Sequence, residues 1–143
     1  MSGVGSQLFM PEPSWLSQPF WDQANKGILS RQRCVDCQFE MFPPQFACRQ
    51  CLSTNLEWVP SSGLGRLYSF TVLYMAPDGG PLPEPKILAD VNLEEGWHMM
   101  TNIVDCLPEQ VACGMAVAAT WQRLSSTINL PVFSPAGEAT KAR

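Results

Sequence analysis

Cys34-Val35-Asp36-Cys37 and Cys48-Arg49-Gln50-Cys51 form two C-x2-C pairs separated by ten residues. Two such knuckles can bring four thiolates around one tetrahedral ion, and thiolates select soft or borderline metals, zinc foremost. A four-thiolate site is closed and has no position for a substrate. The spacing therefore predicts one structural Zn2+ per chain with Cys34, Cys37, Cys48 and Cys51 as ligands. Metal binding to such segments is worth about 10–16 kcal/mol, enough to fold them outright. Two other chemistries compete. A redox disulfide needs only one C-x2-C. A rubredoxin-type iron site usually has a glycine after the second cysteine of each pair, where this chain has Gln38 and Leu52.

Little else in the chain could react. His98 is the one histidine. Cys106 and Cys113 lie in apolar surroundings, where a buried structural thiol is the expectation. A nucleophile–base pair also needs a third orienting group, and none stands beside them. There is no G-x-S-x-G, no P-loop and no H-x-E metal motif. Asp90, Glu94 and Glu95 read as the solvated face of a hairpin. The chain is not expected to be a catalyst alone.

Charge narrows the partners. The formal net charge is −4 and the sequence pI is near 4.8, which disfavours non-specific binding to phosphates. The segment Lys26 to Arg66 is nonetheless basic, with Lys26, Arg31, Arg33, Arg49 and Arg66 against Asp36, Glu40 and Glu57. Two readings are open. The excess offsets the negative zinc–thiolate cluster, or it forms a small anion-binding surface for a nucleotide phosphate. No run approaches the roughly 20 apolar residues of a membrane span, and Met1–Met10 does not read as a signal peptide. Paired cysteines without a secretory leader point to a reducing cytoplasm.

The elements that must position these residues follow from periodicity. Residues 1–13 read as a flexible lead-in. A short helix is expected over 14–28. Ser17 is its N-cap and Pro19 sits in the first turn. Leu16, Phe20, Ala24 and Ile28 form an apolar stripe widened by Trp21, and Gly27 is the stop. Trp15, Phe20 and Trp21 are candidates for docking a partner. Residues 29–60 form the metal ribbon, with strands at Leu29–Arg33, Phe39–Pro43 and Leu56–Val59. From Gly63 the period becomes two. Leu67, Ser69, Thr71 and Leu73 alternate with Tyr68, Phe70, Val72 and Tyr74. A loop over Ala76–Pro85 follows, then a strand from Ile87, a turn at Glu95-Gly96, Trp97–Val104, a helical turn at Pro108–Gln110, and strands Val117–Leu124 and Thr127–Phe133. Five strands over 61–133 suit a small closed barrel of OB type, with Gly63 and Gly65 where the first strand needs a bulge or sharp coil. Residues 134–143 read as a flexible tail.

The ordered motifs are Pro19-Phe20-Trp21, Gly27, Gln32-Arg33-Cys34-x-x-Cys37, Phe42-Pro43-Pro44, Cys48-x-x-Cys51, Leu56-Glu57-Trp58, Gly63-x-Gly65, Tyr68-Ser69-Phe70-Thr71-Val72, Thr101-Asn102-Ile103-Val104, Gly114-Met115 and Leu130-Pro131-Val132-Phe133. Over about residues 17–135 they resemble the family, long labelled a domain of unknown function, that joins a rubredoxin-like zinc ribbon to an OB-fold domain. The resemblance implies a mainly β chain: a short N-terminal helix, a rubredoxin-like zinc ribbon and a C-terminal five-stranded OB-fold barrel. It implies an accessory small subunit acting with a thiolase-like large subunit on acyl-CoA thioesters, in a hetero-oligomer with two of each subunit. The large subunit would carry the catalytic residues, and acyl-CoA would lie at the shared interface. Lys26, Arg31, Arg33 and Arg49 are then the candidates for the CoA phosphates. Net acidity and the lack of a long apolar run lead to the expectation of no nucleic acid and no membrane as partner. Two function classes compete: a single-stranded nucleic-acid-binding zinc-ribbon/OB module, which the acidic barrel disfavours, and an iron–thiolate electron-transfer module.

Overall fold

In the computed structural model, residues 10–136 are described. The expected lead-in and tail lie partly outside them. Helix α1 runs Gln18–Ala24, shorter than the 14–28 expected. Ser17 is its N-cap without using its hydroxyl as one: that oxygen instead accepts the Ser14 N–H at 3.0 Å. Pro19 falls in the first turn, where a missing donor costs nothing. Gly27, at φ +78, takes the left-handed conformation that stops the helix, and the Ile28 N–H closes onto the Gln23 carbonyl at 3.0 Å. The helix end is also tied to the barrel. Asn129 donates to the Ala24 carbonyl at 2.8 Å, and Asn25 to that of Thr127 at 2.9 Å.

The ribbon is a three-stranded antiparallel sheet of β1 (Ser30–Cys34), β2 (Glu40–Met41) and β3 (Leu56–Pro60), in the order β2-β1-β3. Strand β2 has two residues rather than the expected Phe39–Pro43. Pro43 and Pro44 cannot donate to a ladder, and Phe42 leaves the sheet to pack elsewhere.

The barrel is β4 (Leu64–Met75), β5 (Pro81–Leu93), β6 (His98–Ile103), β7 (Ala116–Arg123) and β8 (Asn129–Pro135). It closes in the order β4-β5-β6-β8-β7, and β6 meets β8 in parallel at Ile103 and Phe133. Leu67, Ile87, Ala89, Val91, Val117 and Phe133 fill its interior. A β-bulge between Leu67 and Ser69 puts Tyr68 out of register and reverses the inward face of β4. Leu67 lies opposite Val91, and beyond the bulge Phe70 and Val72 lie opposite Ala89 and Ile87. One alternating set therefore does not face the core throughout.

Strand β5 begins at Pro81, inside the segment expected to be loop. Pro81, Pro83 and Pro85 occupy alternate positions, so in an extended chain their absent N–H groups fall on one edge. Strand β8 likewise reaches Pro135, because Val117 and Ala118 pair with Pro135 and Ser134. Gly63 takes φ +78 at the ribbon-to-barrel corner. At Gly65 a Cβ would lie 2.7 Å from the Asn92 carbonyl oxygen, so only glycine permits this approach of β4 to β5. Among the described residues no helix is long and apolar enough to cross a membrane.

Candidate metal centre and its setting

Each cysteine pair sits on a turn whose backbone aims both sulfurs the same way. The Gln38 N–H closes onto the Cys34 carbonyl at 2.8 Å, and the Leu52 N–H onto that of Cys48 at 2.9 Å. Both closing residues are left-handed, at φ 68. These are the positions where glycine is usual, so the knuckle geometry forms without it. The four Sγ atoms lie within 4.8 Å of one another, with Cys34–Cys51 at 3.6 Å and Cys37–Cys48 at 3.5 Å. A tetrahedron of Zn–S bonds near 2.3 Å has S···S edges of about 3.8 Å. The four cysteines are positioned to bind a metal ion.

Their electrostatics set the thiols apart: Cys37 and Cys51 are harder to deprotonate than a free thiol and Cys48 is easier. Burial, reinforced by the neighbouring sulfurs, pushes the Cys37 thiol up to about 12. Burial also opposes the Cys48 thiolate, but backbone N–H groups of Cys51 and Gln50 and the sulfurs of Cys37 and Cys34 outweigh it and bring Cys48 down to about 7. Those amides point at the Cys48 sulfur from 3.5 and 3.3 Å. N–H···S bonds of this kind stabilise a thiolate whether a proton or a metal shares it.

The four basic candidates diverge. Arg31 is 4% exposed; it pairs with Glu40 at 2.6 Å and donates to the Val59 and Pro60 carbonyls. Its donors tie β2 to β3 across β1. Arg33 gives two N–H groups to one oxygen of Glu57, at 2.9 and 3.1 Å. Lys26 and Arg49 are exposed, and no ion pair to either is formed among the described residues. The Arg49 guanidinium lies 5.9 Å from the centre of the Phe39 ring, on the second knuckle.

The aromatic candidates also separate. Phe20 is 4% exposed and internal. It meets Trp21 at 5.1 Å, Phe42 at 5.3 Å and Trp58 at 6.3 Å, while Phe42 continues to Trp97 at 5.3 Å. Helix, ribbon and barrel share this ring stack, so Phe20 is closed to a partner, and Trp21 is half-buried against the same cluster. Trp15 is 75% exposed, edge-on to the exposed Phe46 at 6.1 Å.

Glu95 departs from the solvated role expected of it. It accepts the Ser61 hydroxyl at 2.8 Å, the Ser62 N–H at 2.7 Å and the Trp97 indole N–H at 3.0 Å. Partial burial raises its pKa, but those three donors outweigh burial and hold it below the usual glutamate value. Nothing in the spacing of Ser61, Ser62 and Glu95 announces this clamp. His98 Nδ1 lies 3.0 Å from Asp90 Oδ1, its one hydrogen-bond partner among the described residues, so no thiol is activated by it. Burial raises the Cys106 thiol, whereas Cys113 is exposed in the turn before Gly114, contrary to expectation.

Known proteins share this arrangement. Residues 21–57 match the model described as the ChsH2 rubredoxin-like zinc ribbon domain, and residues 58–122 match the ChsH2 C-terminal OB-fold domain. The chain is 35% identical over 118 residues to a probable enoyl-CoA hydratase alpha subunit of Thermomonospora curvata, covering 82% of this chain and 37% of that subunit. It is 37% identical over 93 residues to a DUF35 domain-containing scaffold protein of Methanocaldococcus jannaschii, covering 64% of this chain and 66% of the relative. The chain thus spans about a third of the hydratase subunit and two thirds of the scaffold protein. A solved chain described as Ltp2-ChsH2(DUF35) aldolase superposes with a TM-score of 0.79 at 31% identity, over 90% of this chain and all of that one. With both domain models matched in order and the solved relative covered end to end, this chain belongs to the ChsH2-type DUF35 family of zinc-ribbon and OB-fold proteins.

Proposed function

We propose that this chain is the accessory subunit of an acyl-CoA enzyme of the thiolase or aldolase type. In this reading it holds one structural Zn2+, works in the cytoplasm, docks on a thiolase-like large subunit that carries the catalytic residues, and borders the entrance for the acyl-CoA thioester. The observation that carries it is the end-to-end match to the DUF35 chain of an aldolase. The exposed Trp15–Phe46 pair, beside the metal knuckles, is the apolar part of the docking surface. Lys26 and Arg49 are the cations left free for the CoA phosphates, since Arg31 and Arg33 are occupied by Glu40 and Glu57.

The test is co-expression with a thiolase-like polypeptide, followed by isothermal titration of the assembled complex with CoA. Lys26→Ala and Arg49→Ala should each weaken CoA binding about tenfold, the scale of one lost charge-assisted hydrogen bond. Arg33→Ala should leave affinity within twofold of wild type. Unchanged affinity in both of the first two variants sinks the phosphate role, and failure of any such complex to assemble sinks the subunit reading.

A further inference from the structure

Strand β4 has one paired edge and one open edge. On the β5 side it is paired from Gly65 to Met75. On the other side, pairing with β7 covers Leu64 to Arg66 and ends there. The connecting turn adds two bonds at Leu67, with the Met115 carbonyl and the Gly114 N–H. From Tyr68 onward, among the described residues, no backbone or side-chain group bonds to this edge.

Open edges in soluble proteins are normally blunted by charge or proline, because an unpaired row of N–H and C=O groups templates another strand. The same arm shows both situations. On β5, which β6 leaves unpaired before Ile87, Pro81, Pro83, Pro85, Glu84 and Lys86 protect the outer edge. The edge of β4 reads Tyr68-Ser69-Phe70-Thr71-Val72-Leu73-Tyr74-Met75, with neither charge nor proline. Tyr68 is 63% exposed, Tyr74 59% and Met75 57%.

We infer that this edge pairs antiparallel with the same edge of a second copy, about a two-fold axis at Thr71. About that residue Tyr68 and Tyr74 are identical and Phe70 and Val72 are both apolar, while Ser69 and Leu73 differ. In this register Thr71 faces Thr71 of the second copy, Phe70 faces Val72, Ser69 faces Leu73, and Tyr68 faces Tyr74. Aromatic–aromatic and aromatic–β-branched pairs are the combinations that stabilise neighbouring strands. The segment Tyr68–Met75 carries no charge, so no like charges face each other along the paired edge although the whole chain is at −4. Isologous pairing uses both edges at once, which closes the assembly as a dimer and leaves no template for a fibre.

Sedimentation of the metal-loaded full chain tests this. Wild type should be a dimer at about 100 µM. Thr71→Lys, an exposed position, sets two like charges opposite each other and should weaken the dimer roughly 100-fold. Mixing Thr71→Lys with Thr71→Glu should restore a heterodimer to within about tenfold of wild type. Glu84→Lys, on the proline-protected edge, should sediment as wild type does. Metal content and thermal transition check that each variant is folded. A wild-type monomer at ~200 µM, including one whose edge is used by the large subunit instead, overturns the inference. So does a Thr71→Lys dimer as tight as wild type.

Discussion

The barrel and the ribbon are held by different physics. The barrel encloses a contiguous set of buried apolar side chains, Phe133, Leu67, Ile87, Val91 and Val117 among them. The ribbon's own buried set is Cys34, Met41 and Cys48, with Cys37, Phe39 and Leu56 packed against it. Two of those three buried residues are the candidate ligands themselves. Ordering a residue's backbone costs about 1–2 kcal/mol, and so small a core cannot offset that over a ribbon of three short strands and two knuckles. A metal held by four thiolates supplies what the ribbon lacks, at about 10–16 kcal/mol. With a metal bound at the four cysteines, sulfur coordination would stand where apolar burial would otherwise be needed.

Removing the metal is the most direct way to break this contrast. A chelator should abolish hydrogen-exchange protection over Ser30–Pro60 and leave most of it in β4 to β8. Collapse of both regions together would show that the barrel also depends on the metal. Acid should act in the same direction. Protons compete for the thiolates, so metal affinity falls as pH falls and binding releases protons.

The second prediction concerns the seam. Phe20 joins α1 to Phe42 and Trp58 of the ribbon, and Phe42 reaches Trp97 of the barrel. Phe20→Ala should cost about 3–5 kcal/mol, as a buried aromatic cavity does. It should lower the thermal midpoint while metal content stays equal to that of wild type. If instead the metal is lost, the ribbon is held mainly by the seam, and the two regions depend on the same apolar contacts.

Much of this was legible in the chain. Cysteine spacing identifies the metal site because two tight turns of fixed length leave few other geometries. Period-two patterning gives the barrel strands because their core faces are apolar. The misses have physical causes. The bulge at Tyr68 leaves no mark in an apolar sequence, because either face of Leu67–Tyr74 could be buried. Prolines at every second position look like a loop although they are compatible with one edge of a strand. The roles of Arg31 and Phe20 depend on burial, which type and spacing do not reveal. A cation in a basic segment reads as a ligand for anions until Glu40 is found 2.6 Å away.

The smallest effect sharpens the comparison most, because Glu95 belongs to the barrel yet holds the first residues after the ribbon. Its carboxylate accepts from Ser61, Ser62 and Trp97. Glu95→Gln keeps the shape but weakens three charge-assisted bonds, and the group is largely solvent-screened. The expected cost is therefore about 1 kcal/mol near neutral pH. The sign of the pH dependence follows from the lowered native pKa. A carboxyl that ionises more easily when folded stabilises above its unfolded pKa, near 4.5. That contribution is lost as pH falls from there through the lower native value. Denaturant titrations of wild type and Glu95→Gln should converge as pH drops through this range. A difference that stays constant to pH 3 would mean that the side chain acts through packing, and that the corner between ribbon and barrel is not held by charge.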